Sequence, residues 1–240
     1  MNKNWIDIHC HLLPGRDDGC QDLGATFECI RSLRAAGFAG SICTPHFIPR
    51  LYPDNVPERI AAAVAETGAA LAEAGLEYRL WAGAEVRLDP ATLGWFRDFG
   101  VPTLAGSKHV LIDYFGSEWP TFADSTIDWL LESGYAPILA HPERMALSDE
   151  RFEALIPDLA QRGVRLQGNA NCFTGREGAV AAGRAARLLD AGAYAHLALD
   201  LHGPAGLASR LEGLGEAQLL TDKARLDELL GEAPGRIVSG

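Results

Sequence analysis

The sequence predicts an α/β fold in which parallel strands wrapped by helices close into a barrel. Short β-rich runs alternate with amphipathic, Ala-rich helical stretches along the 240 residues. Parallel neighbours need a helical crossover, so this alternation calls for a parallel sheet. About seven such runs in a chain of this length suit one closed barrel better than two domains. Ligand-type side chains also recur at the C-terminal ends of the runs, the edge on which parallel α/β folds assemble their sites.

The predicted strands are residues 5–9, 41–44, 78–85, 110–114, 137–141, 164–168 and 195–200. After the first, Asp22 is an N-cap for a helix over 23–36, and Gly37 is its stop. The next helix carries Pro57 in its first turn and ends near Gly75. Pro90 and Ser148 open two more. Trp95, Phe96 and Trp129 lie at helical spacing in amphipathic segments and are read as core. With no long Ser/Gly/Pro linker, internal repeat or low-complexity tract, residues 1–240 are expected to form one domain.

Composition narrows the function classes. The 21 basic and 32 acidic residues leave a net charge of −11, which repels phosphodiester backbones and excludes nucleic acid as the expected partner. No charged-then-apolar leader opens the chain. No apolar stretch approaches the ~20 residues a bilayer requires. A cytoplasmic protein without membrane insertion is expected. The five cysteines are odd in number and form no C-x-x-C, which argues against a disulfide framework and for small buried residues in a reducing compartment.

The chemistry is carried by spacing. His9 and His11 stand one residue apart at the end of an apolar run; on a strand they share a face and can reach one cation, while Cys10 points away. His46 follows the second strand, Glu85 ends the third, and Asp113 lies near the end of the fourth. His141 ends the fifth, and Asp200 and His202 close the seventh. With Asp18 in the loop after His11, these are nine donors, too many for one cation of four to six ligands. Two or three metals are implied. Asp17 is read as a solvent-facing or turn residue, and Asp7 as a group orienting an imidazole from behind. Asn169 and Asn171 end the sixth strand, where they could hydrogen-bond phosphate or water. His109 and His196 begin strands and are read as structural.

Asp7-Ile8-His9-Cys10-His11 with Asp17-Asp18-Gly19, then Thr44-Pro45-His46, Gly83-Ala84-Glu85, His141-Pro142-Glu143-Arg144 and Asp200-Leu201-His202 resemble, in order and spacing, the PHP (polymerase and histidinol phosphatase) superfamily. Within it, the chain looks most like the bacterial metal-dependent protein-tyrosine phosphatases of the capsule and exopolysaccharide type, from Ile6 to about Asp227. The resemblance implies a distorted (β/α)7 barrel and a trinuclear centre of divalent metal. Manganese is the first choice, with iron, zinc or magnesium as alternatives. It also implies a substrate phosphotyrosine on the tail of a bacterial tyrosine kinase that controls polysaccharide synthesis or export. The implied ligands are His9, His11, Asp18, His46, Glu85, Asp113, His141, Asp200 and His202. Arg144 would hold the substrate phosphate, and His202, if unligated, could assist the leaving group. Three positions depart from the pattern: Asp113 replaces the usual Glu, Leu199 replaces a small polar residue, and no Arg closely follows His202. Arg210, Arg50 and Arg16 are the candidates for that second phosphate contact.

Competing readings meet specific objections. His9-Cys10, five residues and Arg16 match the loop of cysteine-nucleophile phosphatases. Pro14 in that loop cannot donate to phosphate, however, and Asp17 and Asp18 would oppose a dianion. An amidohydrolase commonly needs a bridging Lys at a later strand end, and Lys3, Lys108 and Lys223 are not so placed. A histidinol-phosphate-type enzyme acting on a small phosphomonoester shares the metal motifs, and a non-catalytic module binding phospho-ligands remains an alternative of another class.

Overall fold

The computed structural model describes residues 3–239. Nine strands are described: β1 (Trp5–Cys10), β2 (Phe38–Cys43), β3 (His46–Phe47), β4 (Arg79–Ala82), β5 (Glu85–Arg87), β6 (His109–Asp113), β7 (Ala136–Ala140), β8 (Arg165–Asn169) and β9 (Tyr194–Ala198). The helices are α1 (Leu23–Ala36), α2 (Pro57–Glu73), α3 (Thr92–Phe99), α4 (Thr121–Glu132), α5 (Asp149–Arg162), α6 (Ala179–Asp190), α7 (Leu207–Leu220), α8 (Lys223–Asp227) and α9 (Ala233–Val238). All strand pairings are parallel, in a sheet of order β1-β2-β4 and a sheet of order β3-β5-β6-β7-β8-β9.

The starts predicted at Asp22, Pro57 and Ser148 hold at residue level, whereas α3 begins at Thr92, two residues after Pro90. The Asp22 side chain accepts from Ala25 N, and Gly37 adopts the left-handed conformation that ends α1. Ser148 caps α5 by accepting from Arg151 N. Strand bounds shift by one to three residues, most at β2, which starts at Phe38 and not at 41, and the sheet is interrupted at two places. The run 78–85 divides into β4 and β5 at Gly83-Ala84, and the second strand is followed by a separate β3. Pro45 lies at this second break, where it has no N–H to offer a ladder. Thr44 ties the break to β1, its hydroxyl accepting from Cys10 N at 3.0 Å and donating to Cys10 O at 3.2 Å.

The large core lies between strands and helices and includes Trp95 and Phe96, with Trp129 packed against it; Phe96 stacks on Trp129 at 5.8 Å. Leu199 is fully buried in this core, which accounts for an apolar residue there. A second cluster draws Ile8, Ile42, Leu111, Ile138 and Ala198 from five strands and Ile237 from α9. At the strand beginnings, burial holds His196 down to about 3 and His109 to about 4, so both are neutral. No helix among the described residues is long and apolar enough to cross a membrane.

Candidate metal centre

The strand ends converge because the segment after β9 returns to β1. Asp200 N donates to His9 O at 2.8 Å and His11 N to Leu201 O at 2.9 Å, with a parallel bridge between Cys10 and Leu201. His46 opens β3 directly opposite Glu85 at the start of β5. Asp113 ends β6, and His141 follows β7. His141 and Asp200 take left-handed backbone conformations, with φ of 33° and 49°, which non-glycine residues adopt rarely and at a cost. Arg210 steadies the second, its Nε donating to the carbonyls of Leu199 and Asp200, each at 2.9 Å.

Eight of the nine expected ligands gather into three sets: His11, Asp18, His46 and His202; His9, Glu85 and His141; and His9, His11 and Asp200. Within each set one donor atom per residue lies within 4.8 Å of the others. His9 Nε2 is 3.5 Å from Glu85 Oε1 and 3.4 Å from Asp200 Oδ1, and His11 Nε2 is 3.5 Å from Glu85 Oε2 and from Asp200 Oδ1. Donors bound at about 2.1 Å to one cation stand roughly 3 to 3.5 Å apart, so this spacing fits shared coordination. His9 Nε2 and His11 Nε2 are buried and have no hydrogen-bond partner, as is His141 Nδ1. Buried polar atoms are rarely left so, and a cation would complete them.

The rings of His9 and His11 are aimed from behind. His9 Nδ1 donates to Gln167 Oε1 at 2.8 Å, and Gln167 is itself held because its Nε2 donates to Gly168 O. His11 Nδ1 donates to Asp17 Oδ2 at 2.7 Å, leaving Nε2 for the centre. Asp17 is therefore no solvent-facing residue: its carboxylate also accepts from His46 N and Gly19 N. Burial opposes its charge, yet His11 draws its pKa down to about 2. Asp7 also departs from expectation. It accepts from the main-chain N–H groups of His9 and Leu199 and braces backbone, not an imidazole. Burial raises its pKa to about 7.

Without cations, protons take their place. Burial disfavours charge on His9, but Glu85 and Asp200 overcome it and raise its pKa to about 9; His11 is raised well above the usual imidazole value through Asp17 and Asp200. The same pairs hold Glu85 and Asp200 well below the carboxylate range against the effect of burial. Burial and His11 lower His202 instead, leaving it neutral and ready to ligate.

Asp113 stands apart from the three sets. Its Oδ1 is 3.8 Å from His141 Nδ1, and its Oδ2 accepts from Arg87 at 2.7 Å. Arg144 reaches the centre, donating to Asp200 Oδ2 at 2.7 Å and lying 3.6 Å from Glu177 Oε2. Asn169 Nδ2 donates to the same Asp200 oxygen at 3.1 Å, so Asn169 holds a ligand. Asn171 donates to Glu177 at 2.6 Å. Arg50 is spent on Asp89 at 2.6 Å, and Arg210 on main-chain carbonyls. Cys10 is fully buried, its Sγ 3.4 Å from Ile42 O, and burial raises its thiol pKa well above the usual value; it is no nucleophile. Gln167, Asp17 and Glu177 were not foreseen as part of the site. For Gln167 the alternation Arg165-Gln167-Asn169 along one strand face was the available signal.

A parallel α/β protein with three clusters of imidazoles and carboxylates at its strand ends is a metal-centred hydrolase type. Residues 5–236 match the family described as "Capsular polysaccharide synthesis, CpsB/CapC", and the chain belongs to that family. It is 28% identical over 197 residues to the tyrosine-protein phosphatase YwqE of Bacillus subtilis (strain 168), covering 82% of this chain and 77% of YwqE. A crystal structure from the work on YwqE of Bacillus subtilis and CpsB of Streptococcus pneumoniae, described as metal-dependent tyrosine phosphatases, superposes with a TM-score of 0.83 and 26% identity, covering 98% of this chain and 94% of the other. An amidohydrolase from Mycoplasma synoviae shares the fold alone, with a TM-score of 0.55 at 12% identity over 99% of this chain and 88% of its own.

Proposed function

We propose that this chain is a cytoplasmic, metal-dependent protein-tyrosine phosphatase whose substrate is a phosphotyrosine on a bacterial kinase controlling polysaccharide synthesis or export. The observation that carries the reading is Arg144 bonded to Asp200, which places a guanidinium at the edge of the three ligand sets. The family and the similarity to YwqE support the phosphotyrosine assignment. The architecture is read as a distorted (β/α)7 barrel within one domain, 1–240, with β2–β3 and β4–β5 each taken as one bent strand. The Cys10–Leu201 bridge supports closure.

Three divalent cations, manganese first, would draw on His11, Asp18, His46, His202, His9, Glu85, His141 and Asp200; His9 and His11 each have only Nε2 free and would serve one cation each, with the carboxylates of Glu85 and Asp200 available to bridge. Asp113 would be a further ligand beside His141. Such cations neutralise phosphoryl oxygens and lower the pKa of water towards neutrality. The chain supplies the rest. Gln167 and Asp17 fix the rings of His9 and His11 so that Nε2 faces the centre, and Arg144 binds a phosphoryl oxygen through N–H groups not used on Asp200. The departing tyrosine oxygen, with a pKa near 10, needs little protonation, so no dedicated acid is required.

The test measures phosphate release from a phosphotyrosine peptide after chelation and after Mn²⁺ is restored. Activity should vanish on chelation, return with manganese, be lost in His9→Ala and persist in Cys10→Ser. Activity that survives chelation but is lost in Cys10→Ser would overturn the metal reading, and fewer than two bound ions by elemental analysis would overturn the three-cation centre.

A further inference from the structure

The segment after β6 ties itself down while leaving one ring free. Tyr114 donates from its hydroxyl to Glu118 O at 2.6 Å and meets Trp119 edge-on at 5.3 Å and Phe122 at 6.4 Å. Trp119 in turn donates to Asp124 at 3.1 Å, which anchors the segment to α4. Gly116 allows the tight course of this segment, since a Cβ there would lie 2.3 Å from Tyr114 Oη. Between these fixed points Phe115 is 50% exposed. A single exposed apolar residue is ordinary on a protein surface. Its position is not ordinary: the ring centroid is 5.6 Å from the Arg144 guanidinium carbon, and Phe115 follows Asp113 by two residues at the mouth of the metal centre.

We propose that Phe115 is the specificity residue that selects aryl over alkyl phosphomonoesters, by giving the substrate's aromatic ring a surface to pack on. The proposal rests on the phosphatase reading and deepens it. In an aryl phosphate the ring is attached directly to the bridging oxygen, so a phosphate gripped by Arg144 brings its ring to the side chain beside Arg144. An alkyl phosphate has no π-face to offer there. Aromatic rings gain from offset or edge-to-face packing beyond the area they bury, an advantage worth up to about tenfold in binding. Were Phe115 instead only a prop for Arg144 through the cation–π contact, any phosphate, with or without a ring, would feel its loss equally.

That difference separates the two roles. KM for phenyl phosphate and for a phosphotyrosine peptide is compared with competitive inhibition by inorganic phosphate, a probe without a ring, in metal-loaded wild type, Phe115→Ala, Phe115→Leu and Phe115→Tyr. The proposal expects KM for both aryl substrates to rise about tenfold in the Ala and Leu variants and to stay near wild type in Tyr, with the phosphate inhibition constant unchanged throughout. Leu keeps apolar bulk without a π-face, so a Leu variant that behaves as wild type would overturn the aromatic assignment. Equal weakening of phosphate and of aryl substrate would reduce Phe115 to a prop for Arg144 and also overturn it. Wild type active on aryl phosphates with KM unchanged in Phe115→Ala sinks this proposal alone. Wild type inactive on every aryl phosphate in every divalent metal sinks the phosphatase reading and the proposal together.

Discussion

His11 shows how much of the centre depends on residues that do not ligate. Its Nε2 faces Glu85 and Asp200 because its Nδ1 is committed to Asp17 at 2.7 Å, and the same carboxylate accepts from His46 N. Asp17→Asn should therefore weaken metal binding by about 10- to 100-fold without unfolding the protein, measured by competition with a chromophoric chelator. Retained affinity would mean that the loop alone positions His11. Arg144→Lys keeps charge but loses the planar fork, so both it and Arg144→Ala should cut kcat/KM on phosphotyrosine, by about 100-fold for Ala, while metal content stays at wild-type level. At this scale the ligand-type residues were legible, because H-x-H and the strand-end acids declare themselves by spacing. Asp17 was not: beside Asp18 it reads as half of an ordinary acidic turn. Only the returning chain shows that Asp17 is held between two imidazole-bearing segments while Asp18 is left open to solvent.

At the scale of elements, helix boundaries were the most legible part of the chain, since Asp22, Gly37 and Ser148 act through local hydrogen bonds that neighbouring residues determine. Strand breaks were less so. The divisions after Cys43 and after Ala82 arise where the sheet bends to bring His46 opposite Glu85, a long-range pairing with only Pro45 and Gly83 as local marks. The loop between β1 and α1 is similarly constrained from outside itself. Gly19 passes so close to His11 that an added Cβ would lie 2.2 Å from the His11 carbonyl oxygen and 2.4 Å from its Cβ. Gly19→Ala must push the His11 main chain or the Asp17–Asp18 turn aside. It should lose metal and activity together and cost roughly 1–3 kcal/mol of stability by overpacking, read from denaturant unfolding of the chelated protein. Normal metal content in Gly19→Ala would show that the loop can yield without moving the ligands.

Across the whole molecule, cation binding and proton binding compete for one set of buried atoms, and this sets the pH dependence. His9 in the metal-free fold holds its proton up to about 9, against an ordinary value of 6.5, because Glu85 and Asp200 outweigh the effect of burial. A group whose folded pKa is raised stabilises the fold fully below its unfolded pKa, and this contribution is lost as pH rises through the folded one. The chelated protein should therefore lose stability between about pH 6.5 and 9, by on the order of 3 kcal/mol from His9. Asp7, raised by burial to about 7, slopes the same way in the window just below, because its proton must be removed inside the core. Metal removes this loss. Ligands must shed protons to bind, so affinity grows as pH rises and offsets the decline seen in the chelated fold. Thermal unfolding at pH 6.5, 7.5 and 8.5 should thus give a falling Tm with chelator and one that does not fall at fixed, saturating Mn²⁺. Parallel curves in the two conditions would mean that the cations do not displace the His9 proton, and the role of His9 Nε2 as a ligand would then have to be abandoned.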